Sequence, residues 1–188
     1  MVYEIRSFVC QMRKIKNEEL GRLTLDEFKS SKKNSVILVL DNIRSLNNIG
    51  SAFRTADAFL IEKIYLCGIT GTPPHRDINK TALGATETVN WEYKDKTIEV
   101  IEELKKDNWL ILSVEQADNS LSLEKFEPQK DKKYCFIFGN EVFGVEQEVI
   151  NASDQCLEIP QFGTKHSFNI SVSIGIILWH HINSLKYS

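Results

Sequence analysis

Several features that would assign the chain to a common protein class are missing from its sequence. No apolar run reaches the ~18 residues that a membrane-spanning helix needs. Residues 1–6 lack the charged-then-apolar order of a signal peptide, so we expect a cytoplasmic protein without a membrane partner. The four cysteines form no C-x-x-C pair, which disfavours zinc and thioredoxin-type sites and predicts no metal. Cys67 and Cys135 lie in apolar runs and are predicted to be buried, inert thiols, whereas His180-His181 is predicted to be a surface or interface pair.

The 188-residue chain also lacks an excess of positive charge. Its formal net charge of −3 counts against nucleic-acid binding, because phosphate contacts need lysine and arginine. Basic residues do cluster near the N-terminus, at Arg6, Arg13, Lys14 and Lys16, while acidic residues concentrate elsewhere. Two alternatives therefore stay open: a polarised surface that binds RNA, and an ordinary solvated mixture of charges.

Strand-type and helix-type patterns alternate along most of the chain. Residues 1–34 are polar and rich in helix formers, and they predict an N-terminal helical arm. The remainder, residues 35–188, is predicted to be one compact domain with no internal repeat. Alternating strands and helices indicate an α/β fold with a parallel sheet. Strands are predicted at residues 35–41, 63–67, 89–93, 109–114, 134–138 and 155–159, and helices at residues 47–60, 76–83, 97–106, 145–152 and 169–186.

The first polar segment of interest, residues 41–56, follows the first predicted strand and enters a helix. Asn47 or Asn48 is predicted to cap that helix, and Gly50 would let another part of the chain approach its first turn. Arg54 lies about one and a half turns into the helix. Taken alone, Arg54 is better interpreted as an ordinary exposed helix arginine.

The second segment, residues 138–145, places Glu141 between Gly139 and Gly144 at another strand end. Glycine permits close approach of the backbone to a ligand. The alternative is a plain strand-to-helix turn, in which Glu141 is stabilised by the helix dipole.

The third segment, residues 159–173, follows the last predicted strand, which stops at Pro160. A polar loop then leads into a helix that begins near Ser167, Asn169 and Ser171. Ser167 or Asn169 can serve as its N-cap, and a capping role is compatible with a role in a ligand site.

The three segments all follow strand ends, which is the edge where open α/β sheets bind ligands. In this order they closely resemble the three signature motifs of the SpoU/TrmH branch of the SPOUT methyltransferases, over nearly the whole chain from residue 35 onward. The matching positions are Asn48, Gly50 and Arg54; Gly139, Asn140, Glu141 and Gly144; and Ser167-Phe168-Asn169-Ile170-Ser171, where the family has Ser-Leu-Asn-Val-Ser.

Two further stretches resemble members of that family that act on tRNA. Residues 80–85 with 91–93 are similar to the corresponding region of the enzymes that methylate a guanosine in the tRNA D-loop. The segment Val114-Glu115-Gln116 is similar to part of the methyltransferase domain of an animal tRNA methylase. The acidic net charge and the lack of a long RNA-binding extension depart from the family pattern and leave the substrate open.

The resemblance implies a parallel-sheet SPOUT fold with a C-terminal deep trefoil knot. It also implies a homodimer packed through the apolar last helix, and S-adenosylmethionine as the cofactor, held largely by backbone groups and apolar walls. Carried over position by position, the cofactor-binding residues are Ser113, Val114, Gly139, Asn140, Ile159, Ser167 and Phe168.

The implied reaction is methylation of an RNA ribose 2′-hydroxyl, with tRNA, and a D-loop guanosine in particular, favoured over rRNA. Arg54 is expected to act electrostatically beside the cofactor of the other subunit, because a guanidinium is not deprotonated in proteins. Asn48 would position Arg54 or the ribose, Ser167 and Asn169 would orient the nucleotide, and Glu141 would organise the knot loop. The proton acceptor stays open between an RNA phosphate and Glu141 acting indirectly.

Two functions of other classes compete with this one. A non-catalytic RNA-binding module of the same fold agrees with the low net charge. A Rossmann-type oxidoreductase is disfavoured, because the G-x-G-x-x-G turn after the first strand is missing.

Overall fold

A computed structural model describes residues 12–187 of the chain. One fully parallel sheet forms its centre, with strands Asn34–Asp41 (β1), Ile61–Cys67 (β2), Trp91–Lys94 (β3), Trp109–Val114 (β4), Leu121–Ser122 (β5), Lys133–Phe138 (β6) and Gln155–Glu158 (β7). The helices are Leu25–Ser30 (α1), Leu46–Ala58 (α2), Arg76–Ala82 (α3), Ala85–Thr88 (α4), Thr97–Lys106 (α5), Gln147–Ala152 (α6) and Ile170–Tyr187 (α7). The strand order is β3-β2-β1-β6-β4-β7-β5, so β6 lies between β1 and β4.

The sheet is buried on both faces, which explains the continuous apolar sequence of β1. Val36, Leu38 and Leu40 pack in one core cluster, with side chains of α2 and α7. Ile37 and Val39 point to the opposite face and pack in a second cluster, with α5 and α6. Because parallel sheets are covered by helices on both sides, their strands show no polar alternation. The α/β class and the parallel sheet predicted from the sequence are therefore confirmed.

The N-terminal segment contributes one short helix to this core. Phe28 of α1 is buried in the same cluster as the side chains of α2. Thr24 accepts a hydrogen bond from the Glu27 backbone N–H, and Glu27 accepts one from the Thr24 backbone N–H, a capping box that begins α1. Residues 1–11 of the predicted arm lie outside the described part of the chain, and the domain boundary at residue 34 stays a prediction.

Two local predictions were wrong, and one short strand was not predicted. The α2 helix begins at Leu46 with Ser45 as its N-cap, so neither Asn47 nor Asn48 caps it. The two-residue strand β5 was not predicted, since it is too short to show a period. His181 is buried among the rings of Phe126 and Tyr134 instead of lying at a surface.

The thiol predictions are confirmed, and the buried histidine is neutral. Cys67 and Cys135 are fully buried, and burial raises the pKa of the Cys67 thiol to about 12. Burial lowers the pKa of His181 to about 4, with a smaller contribution from His180. These three groups are therefore uncharged at neutral pH and act as core residues.

Candidate functional site

A cavity of about 570 Å³ opens at the carboxyl edge of the sheet. It is lined by the segments that follow β4, β6 and β7, which are neighbours in the sheet. The walls combine apolar side chains, such as Val114, Ile159 and Phe168, with backbone and amide groups. This volume and this mixture are typical of a small-molecule site.

The loop after β6 forms a tight hairpin on one side of the cavity. Asn140 and Gly144 exchange two backbone hydrogen bonds, each of 2.9 Å. Asn140 Oδ1 also accepts from the backbone N–H groups of Val142 at 2.9 Å and Phe143 at 3.2 Å. A Cβ on Gly139 would collide with the backbone of Gly144 and Val145, so the close return of the chain requires glycine at residue 139.

Glu115 and Gln116 connect the segment after β4 to the other two loops. Glu115 Oε2 accepts from the Val145 backbone N–H at 3.0 Å, and the Gln116 side-chain amide donates to the His166 carbonyl at 2.8 Å. Both residues line the cavity. The sequence interpretation did not include them among the site residues, although their position directly after a strand was a usable signal.

Glu141, in the hairpin, holds the entrance of α2. Its carboxylate accepts from the backbone N–H groups of Arg44 and Ser45, both at 3.0 Å, and from Asn48 Nδ2 at 3.1 Å. Partial burial raises the pKa of Glu141, but these hydrogen bonds outweigh it and the net pKa lies below the ordinary value. Glu141 is therefore ionised at neutral pH and well suited to hold two segments together.

Asn48 joins the third motif to the other two. Its Oδ1 accepts from Asn169 Nδ2 at 3.2 Å, while its Nδ2 donates to Glu141. Asn169 Oδ1 in turn accepts from the Ser171 backbone N–H at 2.9 Å, which makes Asn169 the N-cap of α7. The capping role predicted for Asn169 is confirmed, and residues from all three motifs meet at one point.

The remaining predicted site residues divide into two groups. Val114, Gly139, Asn140, Glu141, Ile159, Ser167, Phe168 and Asn169 line the cavity. Arg54 does not: it is exposed on α2, and within residues 12–187 it makes no hydrogen bond or ion pair. Asn48 does not line the cavity either, but it is hydrogen-bonded to two residues that do, Glu141 and Asn169.

The side chain of Ser113, a predicted cofactor-binding residue, points away from the cavity. Its side chain is fully buried, with Oγ 2.7 Å from Ser153 Oγ, and it is not part of the cavity wall. Successive strand residues point to opposite faces, so when Val114 faces the cavity the side chain of Ser113 faces α6. The cofactor contact expected of Ser113 is one through backbone groups, as the family resemblance implies, and it stays a prediction.

Two further features are absent from the described residues. Between residues 12 and 187, no group of three or more His, Cys, Asp or Glu side chains is arranged to hold a metal ion. Over the same range, no helix combines the length and the apolar character required to cross a membrane.

The sequence and the fold match proteins of one family. The model of the SpoU rRNA Methylase family matches residues 35–179. An uncharacterized tRNA/rRNA methyltransferase of Borreliella burgdorferi is 28% identical over 179 residues, which cover 93% of this chain and 77% of that protein. The 23S rRNA (guanosine-2'-O-)-methyltransferase RlmB of Neisseria meningitidis is 28% identical over 143 residues, 76% of this chain. The chain spans only 56% of the length of that relative.

Solved structures agree on the fold. The Aquifex aeolicus TrmH/SpoU tRNA modifying enzyme superposes with a TM-score of 0.77 at 24% identity, over 86% of this chain and 81% of that one. The AdoMet-bound rRNA methyltransferase of Sinorhizobium meliloti gives a TM-score of 0.75 at 23% identity, over 82% of this chain and 58% of that one.

Proposed function

The chain belongs to the SpoU rRNA methylase family, and on that basis we propose that it is an S-adenosylmethionine-dependent RNA ribose 2′-O-methyltransferase. The observation that carries the proposal is the convergence of the three motifs at Asn48, next to a cavity at the carboxyl edge of the sheet. Relatives named as tRNA and rRNA guanosine-2′-O-methyltransferases support the reaction class.

The cavity fits the cofactor in size and in chemistry. S-adenosylmethionine, when bound, supplies an electrophilic methyl group carried on a sulfonium. Val114, Ile159 and Phe168 provide apolar walls, and the backbone around Gly139 and Asn140 provides hydrogen-bonding groups. Gly139 has no room for a side chain, because the backbone of Gly144 and Val145 fills that space, so glycine at this position keeps the hairpin closed beside the cavity.

The catalytic roles follow from charge and position. The guanidinium of Arg54 would stabilise the negative charge that develops on the ribose 2′-oxygen, since arginine carries a positive charge and this one has no partner among residues 12–187. Glu141 is a weak base, because its pKa is lowered and three donors already occupy its oxygens. The 2′-hydroxyl proton would pass to solvent or to an RNA phosphate as the methyl group is transferred, and alignment with the charge of Arg54, instead of a strong base, would supply the gain in rate. Ser167 and Asn169, at the cavity wall, would orient the nucleotide.

A homodimer would complete the active site. Arg54 does not line the cavity of its own chain, so we propose that it acts at the cavity of a second copy. Helix α7 offers an interface: Val172 is 48% exposed and Trp179, one heptad later on the same face, is 62% exposed. Large apolar side chains exposed along one helix face are typical of subunit contacts.

We also propose that the C-terminal segments form a trefoil knot. In support, β6 and β7 each insert between strands formed earlier in the chain, β6 between β1 and β4 and β7 between β4 and β5. The segment after β7 then contacts both Gln116 and Asn48, so it lies among loops that precede it.

The substrate is proposed to be tRNA, with a D-loop guanosine favoured and rRNA as the alternative. The stretch that resembles tRNA enzymes begins in α3, which packs against α2 at Gly50, where Thr81 Oγ1 donates to the Asn47 carbonyl at 3.0 Å. A tRNA (guanosine(18)-2'-O)-methyltransferase of Aquifex aeolicus is 26% identical over 82% of this chain.

Transfer of labelled methyl groups from S-adenosylmethionine to unmodified total tRNA and total rRNA tests the proposal. Label in a 2′-O-methyl nucleotide of tRNA is expected, and mapping would identify the ribose. Label in rRNA alone would support the proposed reaction but identify rRNA, instead of tRNA, as the substrate. No transfer together with no cofactor binding by calorimetry would refute the enzyme and favour a non-catalytic RNA-binding module.

A further inference from the structure

Two aromatic side chains at the cavity mouth are almost fully exposed. Phe143, in the hairpin after β6, is 84% exposed, and Phe162, in the loop after β7, is 95% exposed. Phe143 borders the cavity, and Phe162 directly follows Gln161, which also lines it. An exposed phenylalanine ring does not contribute the free energy that burial of its apolar surface would give. Two such rings beside a cavity are therefore available to contact a bound molecule.

The hairpin holds the backbone of Phe143 in place. The Phe143 and Val142 backbone N–H groups both donate to Asn140 Oδ1, and the hairpin is closed by the two bonds between Asn140 and Gly144. Glu141, the neighbour of Val142, ties the same hairpin to Asn48. The backbone that carries the ring is thus fixed by several hydrogen bonds, which lowers the entropy lost when a ligand binds.

The charge around the mouth favours a base over a phosphate. The residues that line the cavity in the described chain include the carboxylates of Glu115 and Glu141 but no lysine or arginine. Phosphate groups would be repelled there, whereas the faces of a nucleobase are uncharged. In sequence-dependent RNA recognition, unpaired bases stack on aromatic side chains.

We propose that Phe143 and Phe162 form the subsite for the nucleobase of the nucleotide that is methylated, or of its immediate neighbour. The inference depends on the proposed methyltransferase function: the ribose 2′-oxygen must reach the cavity, and the base is attached at the adjacent ribose carbon, so it lies at the mouth. The target nucleotide is then taken out of its stack in the RNA and held between the two loops.

Paired substitutions separate stacking from simple apolar contact. Phe143→Leu and Phe162→Leu keep an apolar side chain but remove the ring, whereas Phe143→Trp and Phe162→Trp keep a ring. In the methyl-transfer assay with unmodified total tRNA and rRNA, each leucine variant is expected to raise the apparent KM for RNA about ten-fold. The tryptophan variants should stay within about two-fold of the wild type. The dissociation constant for S-adenosylmethionine should be unchanged in all four.

Three results would overturn the subsite. Leucine variants with the wild-type KM would show that the rings do not contact RNA. A weakened cofactor affinity with an unchanged KM would assign Phe143 to the cofactor site. Conversion of the leucine variants to a lower oligomeric state in light scattering would place the rings in a subunit interface. Wild-type protein that methylates neither RNA would instead refute the proposed function itself, so the two failures are distinguishable.

Discussion

Asn48 Oδ1 lies 3.2 Å from Asn169 Nδ2, although the two asparagines are 121 positions apart in the sequence. Through this bond the first turn of α2 is joined to the N-cap of α7. The other end of the Asn48 amide binds Glu141, so one side chain connects the three motifs. Because Asn48 contacts all three motifs, a change in the conformation of one motif loop is expected to displace the other two.

Asn169→Asp separates the two roles of Asn169. A carboxylate still accepts from the Ser171 N–H and caps α7, so the thermal midpoint should stay close to the wild type. It cannot donate to Asn48 Oδ1, so methyl transfer should fall about ten-fold or more. Asn169→Ala removes both bonds and should lose about 1 kcal/mol of stability as well. A full rate in the aspartate variant would show that the bond to Asn48 is dispensable.

Arg54→Ala should lower kcat at least about a hundred-fold, the usual effect of removing a group that stabilises a developing oxyanion. Because Arg54 is not part of the cavity wall, calorimetry should give an S-adenosylmethionine affinity within about two-fold of the wild type. Lys106→Ala, which removes an exposed cation from α5 on the opposite face of the sheet, is the matched control and should keep its rate. Turnover retained by the Arg54 variant would reject its catalytic role.

Gly139→Ala should abolish cofactor binding, because the new Cβ would collide with the backbone of Gly144 and Val145 at the base of the hairpin. Gly163→Ala is the control: a Cβ there meets no atom within 4 Å, and the backbone is not in the left-handed region. Calorimetric titration with S-adenosylmethionine should show no measurable heat for the first variant and normal affinity for the second. Equal affinities would mean that the hairpin does not shape the site.

Mixing two inactive variants tests whether active sites are shared between subunits. An Arg54→Ala subunit keeps an intact cavity, and a Gly139→Ala subunit keeps Arg54. If Arg54 acts at the partner's cavity, each mixed dimer has one complete site, and refolding the two together should restore about a quarter of the wild-type rate. If Arg54 acts within its own chain, the mixture should stay inactive.

The lowered pKa of Glu141 predicts a pH-dependent contribution to stability. A carboxyl group whose folded-state pKa is depressed stabilises the fold above its unfolded pKa of about 4.3, and that contribution is lost as the pH falls through the folded value. At pH 7, Glu141→Gln should cost about 1 kcal/mol in urea unfolding, a modest value because the side chain is exposed. The difference from the wild type should shrink below pH 4. A difference that is constant with pH would show that the charge of Glu141 is not involved.

The sequence by itself determined the α/β class, the bounds of β4 and α5, and the three segments that meet at the site. These features follow from short-range causes: an apolar run buried on both faces of a sheet, a helical period, and capping residues directly before a helix. Resemblance to family motifs then indicated the reaction class, and the match to residues 35–179 confirmed the family.

Only the tertiary structure decided which side chains touch. Glu115 and Gln116 became site residues because β4 lies between β6 and β7, a strand order that no local pattern contains. Ser113 turned away from the cavity because strand residues alternate between faces. The hydrogen bond between Asn48 and Asn169 forms only because the carboxyl ends of strands that are distant in the sequence lie at one edge of the sheet. That arrangement is set by the strand order of the whole sheet.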